Sequence, residues 1–275
     1  MPSANRFRHQ TYSSERPRAP FEVLTADLGA EHGTDEFTRR MQQVGQSLRE
    51  AGVGKVYLVH GTFVGNDAFG LWGGLGRFIP SAANPLRKLS RSIGEAVFGE
   101  NGNFTQEYAE SMQRGFANND ASPIPVTRFD WSSENNHIGR ADAAVRLIDD
   151  IMQSERQPRI LLWGHSHGGN VFALMSNLLS GDRESIAKFF QAARAYYRSP
   201  LFRCVDVPVW ESVRARLLDS ENPLGETELD YATFGTPIRY GWDVTDDSRL
   251  LHFVHHRPSA DGPSYLASFP PQPHD

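Results

Sequence analysis

A serine becomes a nucleophile only where a base, an acid that orients the base, and donors for an oxyanion converge on it. One serine of this chain has a context built for that. In RILLWGHSHGGNVFAL, residues 159–174, an apolar run ends at Trp163, and Gly164-His165-Ser166-His167-Gly168-Gly169 follows. A helix-like apolar pattern comes next, so the stretch reads as strand, abrupt turn, helix, with G-x-S-x-G at the turn. Small residues two positions either side of Ser166 let strand and helix pass closely. The hydroxyl would then stand at a helix N-terminus, where free N–H groups and the helix dipole favour developing negative charge.

Oxyanion donors are the next requirement. The backbone N–H of His167, the residue after the nucleophile, is one candidate. The second comes from the end of an earlier strand, KVYLV at 55–59, which stops at His60-Gly61-Thr62-Phe63. The Thr62 N–H is assigned to it, with Phe63 as the neighbouring choice. By itself His60-Gly61 is a strand-end turn with a structural histidine; beside GHSHGG it reads as the facing wall of an oxyanion hole. Loss of one such donor typically costs about 3–4 kcal/mol of transition-state stabilisation. His165 and His167 flank the turn, and their rings are expected to pack or line the pocket.

These residues must be positioned by the elements around them. Helical spacing predicts helices over 36–50, 85–98, 105–116, 138–152 and 169–179, and a mostly helical, charged stretch over 182–228. That stretch is expected to cover the edge or mouth of a sheet. Strands are predicted over 55–59, 125–131, 159–163, 229–234 and 250–255. Strands separated by helices imply parallel crossover units and a sheet covered on both faces, with ligands at the carboxyl ends of the strands. His60, Trp131, Ser166, Gly235 and His256 all fall at or just past such ends. Phe63, Phe69, Leu71, Trp72 and Trp131 are candidates for an apolar mouth, and the Gly-rich stretch 64–80 for a lid or an irregular surface connection.

VYLVHGTF, LLWGHSHGGNVFAL and DYATFGTP, in this order, resemble the α/β-hydrolase superfamily, in particular its lipase-like and esterase-like serine hydrolases. The resemblance covers roughly 55–261, with insertions after Val64 and Gly181. It implies an α/β-hydrolase fold, a mostly parallel sheet flanked by helices, with its last strand and helix in question. It also implies a chain order of nucleophile, acid, histidine. Asp261 sits where that pattern puts the acid; Asp243 is a weaker rival, and Asp246 and Asp247 suit a solvated turn. The histidine is not settled by the pattern. Only His274 follows Asp261, at the end of a short Pro-rich run. Three readings stand: a base beyond Asp275, a tail that folds back to deliver His274, or His255 or His256 acting from the fifth strand with an acid from elsewhere. The first is favoured. His256 is the preferred base within the chain. His252, His255 and His256 otherwise read as structural, without the carboxylate spacing of a metal site.

Composition narrows the class. The chain has 275 residues, a net charge of −5 and 39% hydrophobic residues. There is no basic patch to engage nucleic acid. One cysteine, Cys204, fits a reducing compartment. The polar first twenty residues read as a mobile arm before a single domain over 21–275, with insertions near 64–122 and 182–228. They hold no apolar signal core, and no run approaches a transmembrane span. A cytoplasmic location is expected, with export by a machine that needs no cleaved signal as the alternative. The function expected is cleavage of a small-molecule or lipid carboxylic ester through an acyl-enzyme on Ser166, without a cofactor. The alternative is a non-catalytic hydrolase-fold protein that binds a lipid or a protein partner.

Overall fold

A computed structural model describes residues 30–62, 104–117, 123–197, 205–220, 223–244 and 248–254. The N-terminal arm, the 64–80 stretch, the 85–98 helix and everything from His255 onward lie outside them.

The described elements run α1 (Asp35–Glu50), β1 (Val53–Val59), α2 (Gln106–Phe116), β2 (Val126–Phe129), α3 (His137–Gln153) and β3 (Arg159–His165). There follow α4 (His167–Leu179), α5 (Arg183–Tyr197), α6 (Val207–Asp219), β4 (Glu228–Phe234) and β5 (Leu250–Phe253). The five strands form one sheet in the order β2-β1-β3-β4-β5, and every pair is parallel. Alternation along each strand sends side chains to opposite faces. Val56, Leu58, Leu161 and Ala232 join the cluster that packs α2, with Met41 and Leu48 of α1 against it. Tyr57, Val59, Ile160, Leu162 and Tyr231 join the larger cluster under α3 and α4. The result is a three-layer α/β architecture with the sheet in the middle.

Local sequence explains the helix starts. Thr34, Thr105, Asn136 and Asp206 each accept a bond from the backbone N–H three residues on, satisfying a donor that the helix itself leaves free. On the α1–α2 side, a Cβ at Gly45 would lie 2.2 Å from the Phe116 carbonyl oxygen, so the close approach of the two helices at that point requires glycine.

Three sequence expectations change. First, α4 starts at His167, two residues earlier than predicted, because Gly168 and Gly169, poor helix formers, are held in the first turn by close contacts. Second, α5 and α6 pack against each other and α6 against α3, as helices added to the α3–α4 layer. Third, the β4–β5 crossover contains no helix among its described residues. An extended segment runs down α4 in its place, and polar side chains of α4 satisfy its backbone. Asn170 donates to the Pro237 carbonyl at 2.9 Å, Asn177 to that of Gly241 at 2.7 Å and Ser180 to that of Asp243 at 2.8 Å.

Trp210 ties α6 to this body. Its ring is fully buried, and its indole N–H donates to Asp142 Oδ1 at 2.7 Å. Burial pushes the Asp142 carboxyl above its ordinary range, opposed by the bond from Trp210 and the nearby Arg146. Trp210→Phe keeps a ring but strips that carboxylate of a buried donor, a loss of about 1–3 kcal/mol. The expected outcome is a lower urea midpoint at an unchanged m-value; an unchanged midpoint would show that the bond does not hold α6 in place.

Candidate active site

Sheet order decides where a ligand can sit. From β1 the chain moves outward to β2, then returns across β1 to β3 and proceeds the other way through β4 to β5. The reversal lies between β1 and β3, and the crevice outside their carboxyl ends is where open parallel sheets bind ligands. His60-Gly61-Thr62 leaves one of those ends and Ser166 the other.

Ser166 adopts φ 50° and ψ −124°, a conformation that costs a residue with a Cβ about 1–3 kcal/mol. Among the described non-glycine residues only Ser133 shares its positive φ. The surroundings hold it there. The Ser166 N–H donates to the Phe234 carbonyl at 2.9 Å, and its own carbonyl accepts from the Gly169 N–H at 3.1 Å and the Thr236 hydroxyl at 2.9 Å. The glycines around it each face an obstruction. A Cβ at Gly164 would stand 2.5 Å from the Phe172 ring, and one at Gly168 2.2 Å from the Val59 carbonyl oxygen. At Gly169 it would meet the Thr236 hydroxyl at 2.2 Å. The N–H groups of His167 and Gly168, in the first turn of α4, have no acceptor within the helix. They lie directly after a partly exposed serine.

The facing wall is equally close. A Cβ at Gly61 would come within 2.7 Å of Ser166 Cβ and 3.2 Å of its Oγ. The main chain of the β1 loop therefore abuts the serine side chain, with Thr62 the next residue along. This loop is braced from beneath. The Trp131 indole N–H donates to the His60 carbonyl at 3.0 Å, and the two rings stack at 5.9 Å. His60 Nδ1 bonds the Gly61 carbonyl at 2.8 Å, with the buried Ser133 hydroxyl 3.4 Å from the same nitrogen. Trp131 is buried, so it supports the loop; it does not line an apolar mouth. Ser133 went unnoticed in the sequence, where SSENN gives no hint that its first turn carries a strained, buried residue.

A third group of side chains gathers where the segment after β4 crosses the N-termini of α3 and α4. His167 is buried, and its Nδ1 lies 3.2 Å from the Asn170 amide. Burial first, then the positive charges of Arg140 and Arg239, push its pKa below the ordinary histidine value. Arg140 bonds the Tyr240 hydroxyl through Nε at 3.0 Å and Asn135 Oδ1 through Nη1 at 3.1 Å. The Tyr240 hydroxyl also meets His137 Nδ1 at 2.7 Å.

Protein-family models, curated proteins and solved structures were searched, and none matched the chain.

Of the residues picked from sequence, Ser166 and His167 sit at the β1–β3 crevice, and Thr62 follows Gly61, whose main chain faces Ser166. Asp261, His256 and Phe63 lie outside the described residues. Asp243 is removed as a rival acid. Its backbone is bound to Ser176 and Ser180 at the far end of α4, roughly 15 Å from Ser166 at the helix rise per residue. His252 bonds the Thr233 hydroxyl and meets the Trp242 ring edge-on at 5.3 Å, a packing role on the outer strands. No described histidine is hydrogen-bonded to Ser166 Oγ. Nor do three or more metal-binding side chains come together among the described residues.

Two outcomes follow from this geometry. Ser166→Gly relieves the strained φ, offset in part by the greater freedom of glycine in the unfolded chain, and should be more stable than Ser166→Ala by about 1 kcal/mol. Equal thermal midpoints would argue against strain at the serine. For His167, the folded pKa lies below the unfolded value near 6.5. The unfolded state then binds more protons between those two values. Stability is complete above about pH 6.5 and falls as the pH drops through that window. His167→Gln should flatten the pH dependence of the urea midpoint there, and an unchanged slope would contradict the shift.

Proposed function

We propose that this protein is a serine hydrolase with an α/β-hydrolase fold that cleaves carboxylic esters through an acyl-enzyme on Ser166. The observation that carries the proposal is the backbone of Ser166. It is locked at positive φ between a strand end and a helix N-terminus, with the Gly61 main chain against its side chain. Such strain persists only where the surroundings impose it, and it concentrates at functional positions. The five-stranded parallel sheet and the helices on both its faces support the fold assignment.

In this reading Ser166 Oγ attacks the ester carbonyl, and the N–H groups of His167 and Thr62 receive the oxyanion. An imidazole takes the serine proton and passes it to the departing alcohol. Water, deprotonated by the same imidazole, then releases the acid and restores the serine. Within this sequence His256 is the preferred base and Asp261 the preferred acid. His256 precedes Asp261, against the nucleophile, acid, histidine order, so a His256 base takes its orienting acid from elsewhere and an Asp261 acid takes a later histidine. His256 and Asp261 both follow β5, whose carboxyl end lies two strands, about 10 Å, from that of β3. Small-molecule, phospholipid and thioester substrates all suit this chemistry, and it needs no cofactor. No described helix is long and apolar enough to cross a membrane.

A fluorophosphonate probe should label the folded protein at Ser166, and Ser166→Ala should abolish the labelling. His256→Ala should slow it by about a hundredfold or more. Folded wild-type protein that stays unlabelled would reject catalysis and favour a hydrolase-fold binding protein. Labelling of His256→Ala at the wild-type rate would place the base elsewhere.

A further inference from the structure

Arg140 is the outstanding unexplained charge of the described structure. It sits in the first turn of α3 and is 3% exposed. A buried guanidinium ordinarily has a carboxylate beside it, because an uncompensated buried charge is costly. Here its acceptors are neutral, the Tyr240 hydroxyl and the Asn135 amide oxygen, and no carboxylate among the described residues pairs with it. Two of its five N–H bonds are used.

The setting adds positive potential. Arg140 lies at the dipole's positive end of α3, where a cation is disfavoured, and neither α3 nor α4 carries an acid in its first turn. Arg239 lies on the segment that crosses both N-termini, and His137 shares the Tyr240 hydroxyl with Arg140. The charges of Arg140 and Arg239 are both felt at His167, the residue after Ser166. Arg140 also ties the Tyr240 segment and Asn135 to the start of α3, a role that needs hydrogen-bond donors but not a buried charge.

We propose that Arg140 is the receiving group for an anionic substituent, a carboxylate or a phosphate, carried by the ester that Ser166 cleaves. The inference rests on Ser166 being the nucleophile, and it defines the substrate class of that site. The planar guanidinium suits bidentate capture of either anion. Arg239, exposed at the rim, adds attraction at longer range. Binding places the negative charge where the described residues leave positive charge unanswered, and so fixes which end of the ester faces the helix termini.

The test compares two esters of similar length, 4-nitrophenyl hemisuccinate and 4-nitrophenyl butyrate. Wild-type protein should favour the charged ester in kcat/KM, and Arg140→Gln should reduce that preference by about ten- to a hundredfold. Arg140→Lys, which keeps a point charge but loses the fork, should retain part of it and covers the case in which the glutamine variant does not fold. A second readout does not need turnover. Succinate and inorganic phosphate, each against chloride at matched ionic strength, should raise the thermal midpoint of the wild type, raise that of Arg140→Lys less and leave that of Arg140→Gln unmoved. The stronger of the two tells carboxylate from phosphate as the natural substituent.

A charged-to-neutral ratio that Arg140 substitutions leave unchanged, with Ser166 still labelled by a fluorophosphonate, would overturn the proposal and leave the hydrolase reading standing. Absence of labelling with an Arg140-dependent midpoint shift would do the reverse, keeping the anion site and rejecting the nucleophile. No shift with either anion would overturn the site.

Discussion

The structure turns on a steric constraint at one residue. Strand β3 must become helix α4 with a single serine between them, and the helix must then lie against β1. Backbone and side-chain atoms crowd Gly164, Gly168 and Gly169 so closely that no side chain fits. That crowding, with the bonds from Ser166 to Phe234, Gly169 and Thr236, holds the serine at positive φ. Everything else at the crevice depends on it. The first turn of α4 points its free N–H groups past the serine only because the helix begins immediately, and Gly61 can approach Ser166 only because it has no Cβ.

The same constraint explains the polar residues of α4. A helix whose faces are nearly all buried would be apolar throughout, yet Asn170, Ser176 and Asn177 are buried in it. They replace the packing of a crossover helix with hydrogen bonds to an extended segment. That segment starts with Thr236 on the serine carbonyl and passes Tyr240 across to Arg140 and His137. The elbow and the cationic cluster are thus parts of one assembly, linked by a stretch of chain that has no regular structure of its own.

Much of this was legible in the sequence, and the exceptions have physical reasons. Strands and helices near the centre announced themselves by periodicity: residues 55–59 and 159–163 are strands, and the apolar stripe from 138 to 152 is a helix. GHSHGG and HGTF declared a turn and a facing loop because glycine is informative wherever backbones approach. The start of α4 was misplaced because two glycines argue locally against a helix that tertiary contact imposes. The β4–β5 connection was unreadable for the opposite reason. Its partners are side chains on another element, and an irregular segment leaves no period to detect. Arg140 carried no signal in the sequence, since its burial and its bond to Tyr240 arise only from tertiary contact. The strain at Ser133 was equally hidden, since serine tolerates many conformations and only the packing under His60 selects this one.

The most direct measurement is a crystal structure of the protein after reaction with diethyl 4-nitrophenyl phosphate. The account predicts phosphorus bonded to Ser166 Oγ, with the phosphoryl oxygen about 2.7–3.1 Å from the backbone nitrogens of His167 and Thr62. It also predicts a serine backbone unchanged at positive φ. An unmodified Ser166, or an adduct whose phosphoryl oxygen faces away from those nitrogens, would contradict it.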